Sequence, residues 1–286
     1  MMTQKNHILS RTNKKPILWD TFFESNSKQK PLVIFCHGYK GFKDWGAWDL
    51  VAEEFSDAGF FFVKFNFSHN GGTMEQPIDF PDLDAFAENN YSKELEDLGD
   101  MMDYLHSMDN PFYEEINPNQ VILIGHSRGG GIAILKASED DRITQLVTWA
   151  GVDDFGSRMG SEEEIAQWKK EGVKHVLNGR TKQQLPHNYQ FYEDFKVNEN
   201  RFHIESAVKK IHIPQLIVHA VEDTSVNYEA AQSIRDWNPE SKLLAITDSD
   251  HVFGASHPWS REELPSKLKG TVSETISFVQ SHINES

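Results

Sequence analysis

"VILIGHSRGGGIAIL", residues Val121–Leu135, is the stretch whose reading decides the fold. Val121–Ile124 is an unbroken apolar run, as a strand buried on both faces requires. The run breaks into Gly-His-Ser-Arg-Gly and turns apolar again from Ile132. A serine on a sharp strand-to-helix turn is lifted clear of the sheet, with its Oγ at the start of the helix. Gly125 and Gly129, two positions before and two after Ser127, leave room for backbone that a Cβ would crowd. Gly130 and Gly131 extend that tolerance into close helix–strand packing. Free N–H groups at the helix start favour negative charge that develops there. G-x-S-x-G alone occurs by chance in roughly one chain in ten of this length; the flanking strand and helix give it weight.

The neighbouring segments extend the pattern. "HILSRT", "PILWDTFFES" and "PLVIFCHG" read as strands separated by polar turns. "WDLVAEEFSDAG" has helical apolar spacing, "FFFVKFNF" a strand pattern, and "KELEDLGDMMDYLHSM" that of an amphipathic helix. Beyond the serine turn, "ITQLVTWAGV", "PQLIVHA" and "SKLLAIT" read as strands, with helices at "YEAAQSIRDW" and "VSETISFVQSHI". Apolar strands alternating with helices predict an α/β fold: a mostly parallel central sheet with helices on both faces. The leading strands, joined by short turns, are expected to form an antiparallel N-terminal edge.

No internal repeat or linker divides the 286 residues, so residues 1–286 are expected to form a single domain. From about Asp153 to about Asn200 the alternation stops. "SEEEIAQWKKEG" reads as a helix, followed by "RTKQQLPHNYQFYEDF", rich in polar and aromatic residues. A segment of this length outside the strand–helix rhythm is expected to be a small helical lid or cap insertion over the ligand-binding edge.

Composition excludes several function classes. The formal charge of −16, spread along the chain, repels phosphate backbones and anionic lipid, so nucleic acid and acidic membranes are not expected partners. The single cysteine, Cys36, forbids an internal disulfide framework and sits in a strand-like apolar run as a small hydrophobe. No stretch approaches the roughly 18 apolar residues needed to cross a bilayer, and the first residues lack a signal-like apolar run. A cytoplasmic enzyme is the expectation. No residue pattern speaks to the oligomeric state.

A serine hydroxyl needs a base to take its proton and a third group to orient that base. "LIVHAVEDTSVN" places Asp223 just beyond one strand, and "DSDHVFGASHPW" places His251 just beyond the next. Ser127, Asp223, His251 is the chain order expected for this architecture. Asp223 is favoured over its neighbour Glu222. Asp250 adjoins His251 and is badly placed to orient it. His257 is the competitor to His251, and His126, beside the serine, is read as packing. Acyl transfer also needs two N–H donors for the oxyanion. The backbone N–H of Arg128 is one candidate, and that of Tyr39, in the loop "HGYKGFKDW", is the other. Phe42 and Trp45 from the same loop are candidate substrate-binding residues, whereas Trp48 reads as core. The Arg128 side chain is free either to meet a substrate carboxylate or to form a structural salt bridge.

On these residues the chain resembles the α/β-hydrolase superfamily over nearly its whole length. Within it the chain is similar to the dienelactone-hydrolase-like and cinnamoyl/feruloyl-esterase-like serine hydrolases. "HGYKGFKDWGAWDLVAEEFSDAGFFFVKFNFS" is similar to their oxyanion loop, helix and strand, "GHSRGG" to their nucleophile turn, "HAVEDTSV" to their acid loop and "DHVF" to their histidine loop. The resemblance implies hydrolysis of a small-molecule carboxylic ester through an acyl-enzyme, with no cofactor and no metal. Ser127 would be the nucleophile, Asp223 the orienting acid, His251 the base, and Tyr39 with Arg128 the oxyanion donors. There are two departures. Dienelactone hydrolases themselves use cysteine where this chain has Ser127, and "SHNGGT", expected to border the pocket, differs from the Arg-Gly-x-Gly pattern of relatives. Thioesterase, cofactor-free perhydrolase and oligopeptidase-like chemistry share the triad order, and a catalytically silent binding scaffold shares the fold.

Overall fold

The computed structural model describes residues 1–26 and 28–283; position 27 and positions 284–286 of the expected single-domain span lie outside the described residues. In chain order the sheet strands are β1 (Met2–Leu9), β2 (Ile17–Phe23), β3 (Lys30–Cys36), β4 (Phe61–Phe65), β5 (Ile116–His126) and β6 (Gln145–Trp149). A separate hairpin, β7 (Val173–Leu177) and β8 (Gln184–Asn188), precedes the last sheet strands, β9 (Gln215–Ala220) and β10 (Lys242–Ile246). The helices are α1 (Trp48–Asp57), α2 (Leu83–Ala87), α3 (Tyr91–Leu105), α4 (Arg128–Ala137), α5 (Glu162–Glu171), α6 (Gln190–Val197), α7 (Ile204–Val208), α8 (Tyr228–Trp237) and α9 (Ser266–Ile283).

The eight-stranded sheet runs β1-β2-β4-β3-β5-β6-β9-β10. β2 is antiparallel to both β1 and β4, and every other pairing is parallel. The expected antiparallel edge is therefore made by β1 and β2, while the third leading strand, β3, lies in the sheet interior between β4 and β5. β1 also begins earlier than its sequence reads, because an edge strand with mostly exposed side chains carries no apolar run. Alternate residues of the central strands feed opposite faces: Ile34 and Leu123 join one core with α3, α4, α7 and α8, whereas Val33, Phe35 and Ile124 join the other with α1 and α9. Among the described residues no helix is long and apolar enough to cross a membrane.

The segment between β6 and β9 differs most from its sequence reading. Its α5 starts as expected, with the Ser161–Glu164 capping box, and ends on left-handed Gly172. The following residues, however, form the antiparallel β7–β8 hairpin and then α6. Pro186 and the polar alternation of β8 hid that strand, since proline is tolerated only on edges. The hairpin pairs Lys174 with His187 and Val176 with Leu185.

A buried charge network holds the loop that follows β3. Asp20 on β2 accepts hydrogen bonds from the ammonium groups of Lys43 and Lys64, both at 2.8 Å, and all three side chains are fully buried. Asp44 adds contacts of 2.6 Å and 2.7 Å to the same lysines. Asn66 accepts the Lys43 backbone N–H at 2.7 Å, and Lys64 Nζ donates to the Lys43 carbonyl at 2.9 Å. Removing one partner of a buried ion pair leaves an uncompensated charge. Asp20→Asn is therefore expected to lower stability by about 3 kcal/mol, read as a fall in the urea unfolding midpoint with unchanged slope. A midpoint equal to wild type would show that Asp44, with Asp49 at 2.7 Å from Lys64 Nζ, compensates fully.

Candidate active site

Ser127 stands between β5 and α4 with φ +57° and ψ −122°, a backbone conformation that side chains rarely adopt. The strain is held by its neighbours: the Ser127 N–H donates to the Trp149 carbonyl at 2.9 Å, and the Ser127 carbonyl accepts from Gly130 N–H at 2.9 Å. Gly129 is required by close approach, because a Cβ there would lie 2.4 Å from the Cys36 carbonyl oxygen and 2.5 Å from that of His37. α4 thus begins in contact with the end of β3.

That contact brings the loop after β3 to the serine. A Cβ on Gly38 would lie 2.8 Å from Ser127 Cβ and 3.3 Å from its Oγ. Phe67 N–H donates to His37 Nε2 at 3.2 Å, so Nδ1 carries the proton and donates to the Gly38 carbonyl at 2.9 Å. Gly41 N–H also donates to that carbonyl, at 3.0 Å. A trans peptide directs the Tyr39 N–H opposite to a carbonyl held in this way. Burial keeps His37 neutral, with its pKa pushed down to about 4. The role of His37 was not legible beforehand; the "HG" pair at a strand end was its signal.

Asp223 and His251 lie side by side. His251 Nδ1 lies 2.6 Å from Asp223 Oδ2. The other oxygen, Oδ1, accepts from the backbone N–H of Ser225 at 2.8 Å and of Val226 at 3.0 Å. Burial pushes the Asp223 pKa up, but hydrogen bonds from His219 and His251 outweigh it and hold the carboxyl well below the usual range. An ionised carboxylate can only accept, so His251 Nδ1 carries a proton and Nε2 of the neutral ring keeps its lone pair. His219, fully buried, was not anticipated: its Nε2 lies 2.8 Å from the Val226 carbonyl and 3.5 Å from Asp223 Oδ2.

The rivals fall elsewhere. Glu222 accepts from Ser249 N–H at 3.4 Å, and Asp250 caps its own turn by accepting from Gly254 N–H at 2.8 Å. His257 accepts from Gly46 N–H and packs against Phe42 and Trp45. His126 is buried and donates to the His251 carbonyl at 2.9 Å, a packing and positioning role.

Two cavities meet at Ser127 and His251. The larger, about 490 Å³, lies beneath the segment between β6 and β9 and is lined by Tyr91, Arg128, Trp168, Lys174 and Phe191 among others. The smaller, about 270 Å³, is lined by Tyr39, Trp45, Trp48 and His126. Trp45 thus faces a cavity, but Phe42 does not. It is fully buried, edge-on to His257, so its expected substrate contact is corrected to a packing role. "SHNGGT" lines neither cavity; Asn70 braces the loop after β3 by donating to the Gly41 carbonyl at 3.3 Å. The Arg128 guanidinium lies 4.2 Å from the Tyr39 ring centroid and 3.4 Å from Glu94 Oε1, so the salt-bridge alternative is the one realised. Lys174, Trp168, His187 and Phe191 were not singled out from sequence; the aromatic richness of the stretch was their signal. Asp20, Asp44 and Asp49 alone among the described residues cluster as metal ligands would, and the Lys43 and Lys64 ammonium groups already supply their counter-charge.

Folding lowers the Asp223 pKa below its unfolded value of about 3.9. Its ionised form therefore contributes stability above about pH 4 that is lost as pH falls toward the folded pKa. The gap in urea stability between wild type and Asp223→Asn is expected to be widest near neutral pH and to narrow from about pH 4 downward. A pH-independent gap would contradict the charge-based account.

Comparison with known proteins follows the same lines. A family model described as "alpha/beta hydrolase fold" matches residues 31–168. The quorum-quenching protein AidA of Acinetobacter baumannii is 27% identical over 130 residues, 45% of this chain; the match spans only 38% of that relative's length. Est1E from Butyrivibrio proteoclasticus, solved with ferulic acid bound, superposes with a TM-score of 0.68 at 19% identity, covering 94% of this chain and 95% of that one. The esterase domain of a Rhodothermus marinus protein superposes with a TM-score of 0.63 at 16% identity, covering 98% and 100%. By sheet order, crossover helices, the strained serine turn and these matches, the chain has the α/β-hydrolase fold.

Proposed function

We propose that the protein is a serine hydrolase that cleaves small-molecule carboxylic esters through an acyl-enzyme. Ser127 attacks the ester carbonyl while His251 takes its proton at Nε2. Asp223 holds the ring in that tautomer and stabilises the imidazolium that forms. The Tyr39 and Arg128 backbone N–H groups receive the oxyanion. His251 then returns the proton to the leaving alcohol and activates water for deacylation. The observation that carries this reading is the 2.6 Å contact between His251 and an ionised Asp223 beside a cavity that His251 and Ser127 line together.

The orientation of the Gly38–Tyr39 peptide supports the oxyanion role, and the esterase relatives of the same fold support the substrate class. On this reading residues 1–286 are one catalytic domain, and the insertion at about 153–200 is a lid that closes the larger cavity. Its ties to the body support this: Gln183 Nε2 donates to the Phe80 carbonyl at 3.0 Å, and the Tyr39 hydroxyl lies 2.7 Å from His187 Nε2.

Hydrolysis of p-nitrophenyl esters, from acetate upward and including a cinnamate, tests the proposal. Wild-type turnover is expected to fall by about 10⁴-fold or more in Ser127→Ala. Asp223→Asn is expected to lower kcat by about 10⁴-fold, because the amide favours the wrong imidazole tautomer. Turnover that survives Ser127→Ala would overturn the assignment.

A further inference from the structure

The larger cavity carries a charge opposite to that of the chain. Against a net charge of −16, its lining contains Arg128, Arg158 and Lys174 and no aspartate or glutamate among the described residues. Arg128 is already paired with Glu94 and enclosed by the Tyr39, Tyr91 and Phe191 rings. Lys174 and Arg158 are different, since neither forms a salt bridge among the described residues. Both belong to the insertion and adjoin Met159. Arg158 ends the turn Gly156–Arg158 immediately before it, and Lys174 Nζ donates to its carbonyl at 3.2 Å.

Lys174 is built into the wall rather than trailing in solvent. Its ammonium lies 3.7 Å from the Trp168 ring centroid, and strand pairing sets it opposite His187, which lines the same cavity. Burial lowers the Lys174 pKa, with Glu164 acting against the shift and Arg128 adding to it. Burial pushes His187 down to about 3, and Arg128, Lys174 and the neighbouring Lys40 add to the shift. A partly desolvated ammonium without a carboxylate partner gains most from an anionic group delivered by a ligand.

We propose that the protein selects esters whose acyl part ends in a carboxylate, and that Lys174 and Arg158 receive that carboxylate on the insertion wall of the larger cavity; the proposal rests on the ester-hydrolase reading above. Ser127 at the sheet edge attacks the ester carbonyl, and the cations fix the far end of the acyl chain. Lys174 and Arg158 are thus specificity-determining residues, and the acyl-enzyme is that of a dicarboxylic half-ester.

The test compares p-nitrophenyl hydrogen adipate with p-nitrophenyl hexanoate, which have equal chain lengths and differ only in the terminal carboxylate. Wild type is expected to favour the adipate ester by about tenfold in kcat/KM. That ratio should fall toward one in Lys174→Met and Arg158→Gln, and in wild type as ionic strength rises. A ratio of one or less, or one untouched by both substitutions, with hexanoate hydrolysis still dependent on Ser127, overturns this proposal and leaves the esterase intact. If neither ester is turned over, the esterase reading fails, and calorimetric titration of Ser127→Ala with adipate and hexanoate ions decides the anion site. Tighter binding of adipate that is lost in Lys174→Met supports it; equal or absent binding overturns it.

Discussion

The site depends on one close approach, the packing of the first turn of α4 against the end of β3. Gly129 lies so near the Cys36 and His37 carbonyls that no side chain fits between them. This contact brings the Gly38 loop against Ser127 and, with the Trp149 carbonyl, holds the serine at its positive φ. Three strands, β3, β5 and β6, therefore meet at one residue. A strained backbone persists only where its surroundings over-determine it, and here helix, sheet and loop each supply a constraint.

Around that point charge is distributed by distance from water. On one side the fully buried Lys43 and Lys64 are compensated by Asp20 and Asp44 together, which immobilises the loop that carries Tyr39. Asp223, also buried, is held ionised by two backbone N–H groups and two histidines, and so fixes the proton on one nitrogen of His251. On the other side the segment between β6 and β9 brings Lys174 and Arg158 to the larger cavity, where neither forms a salt bridge among the described residues. In the first two clusters each charge meets an ionic or hydrogen-bonding partner, whereas neither cation of the third forms a salt bridge among the described residues.

Much of this was legible in particular residues. The apolar runs of β5, β6 and β9 can form only strands covered on both faces, and helix α8 occupies the residues its spacing indicated. The serine turn stood out because Gly125 and Gly129 flank a serine at the point where an apolar strand gives way to a helix. Asp223 and His251 could be named because each follows a strand directly, so local sequence places them at the same sheet edge. Phe42 could not be assigned correctly, since an aromatic residue in a loop reads the same whether it turns toward a cavity or into the core.

By itself the sequence determined the strand–helix alternation, the turn at Ser127 and the chain order of Ser127, Asp223 and His251. All of these are set by periodicity and by backbone requirements spanning only a few residues. Only the tertiary structure decided that β3 lies inside the sheet, that Lys43 and Lys64 share Asp20, that His219 supports Asp223, and that a hairpin with a proline in one strand carries Lys174 to the cavity. These outcomes depend on contacts between segments tens of residues apart, where burial and the pairing of charges choose among arrangements that local sequence leaves equivalent.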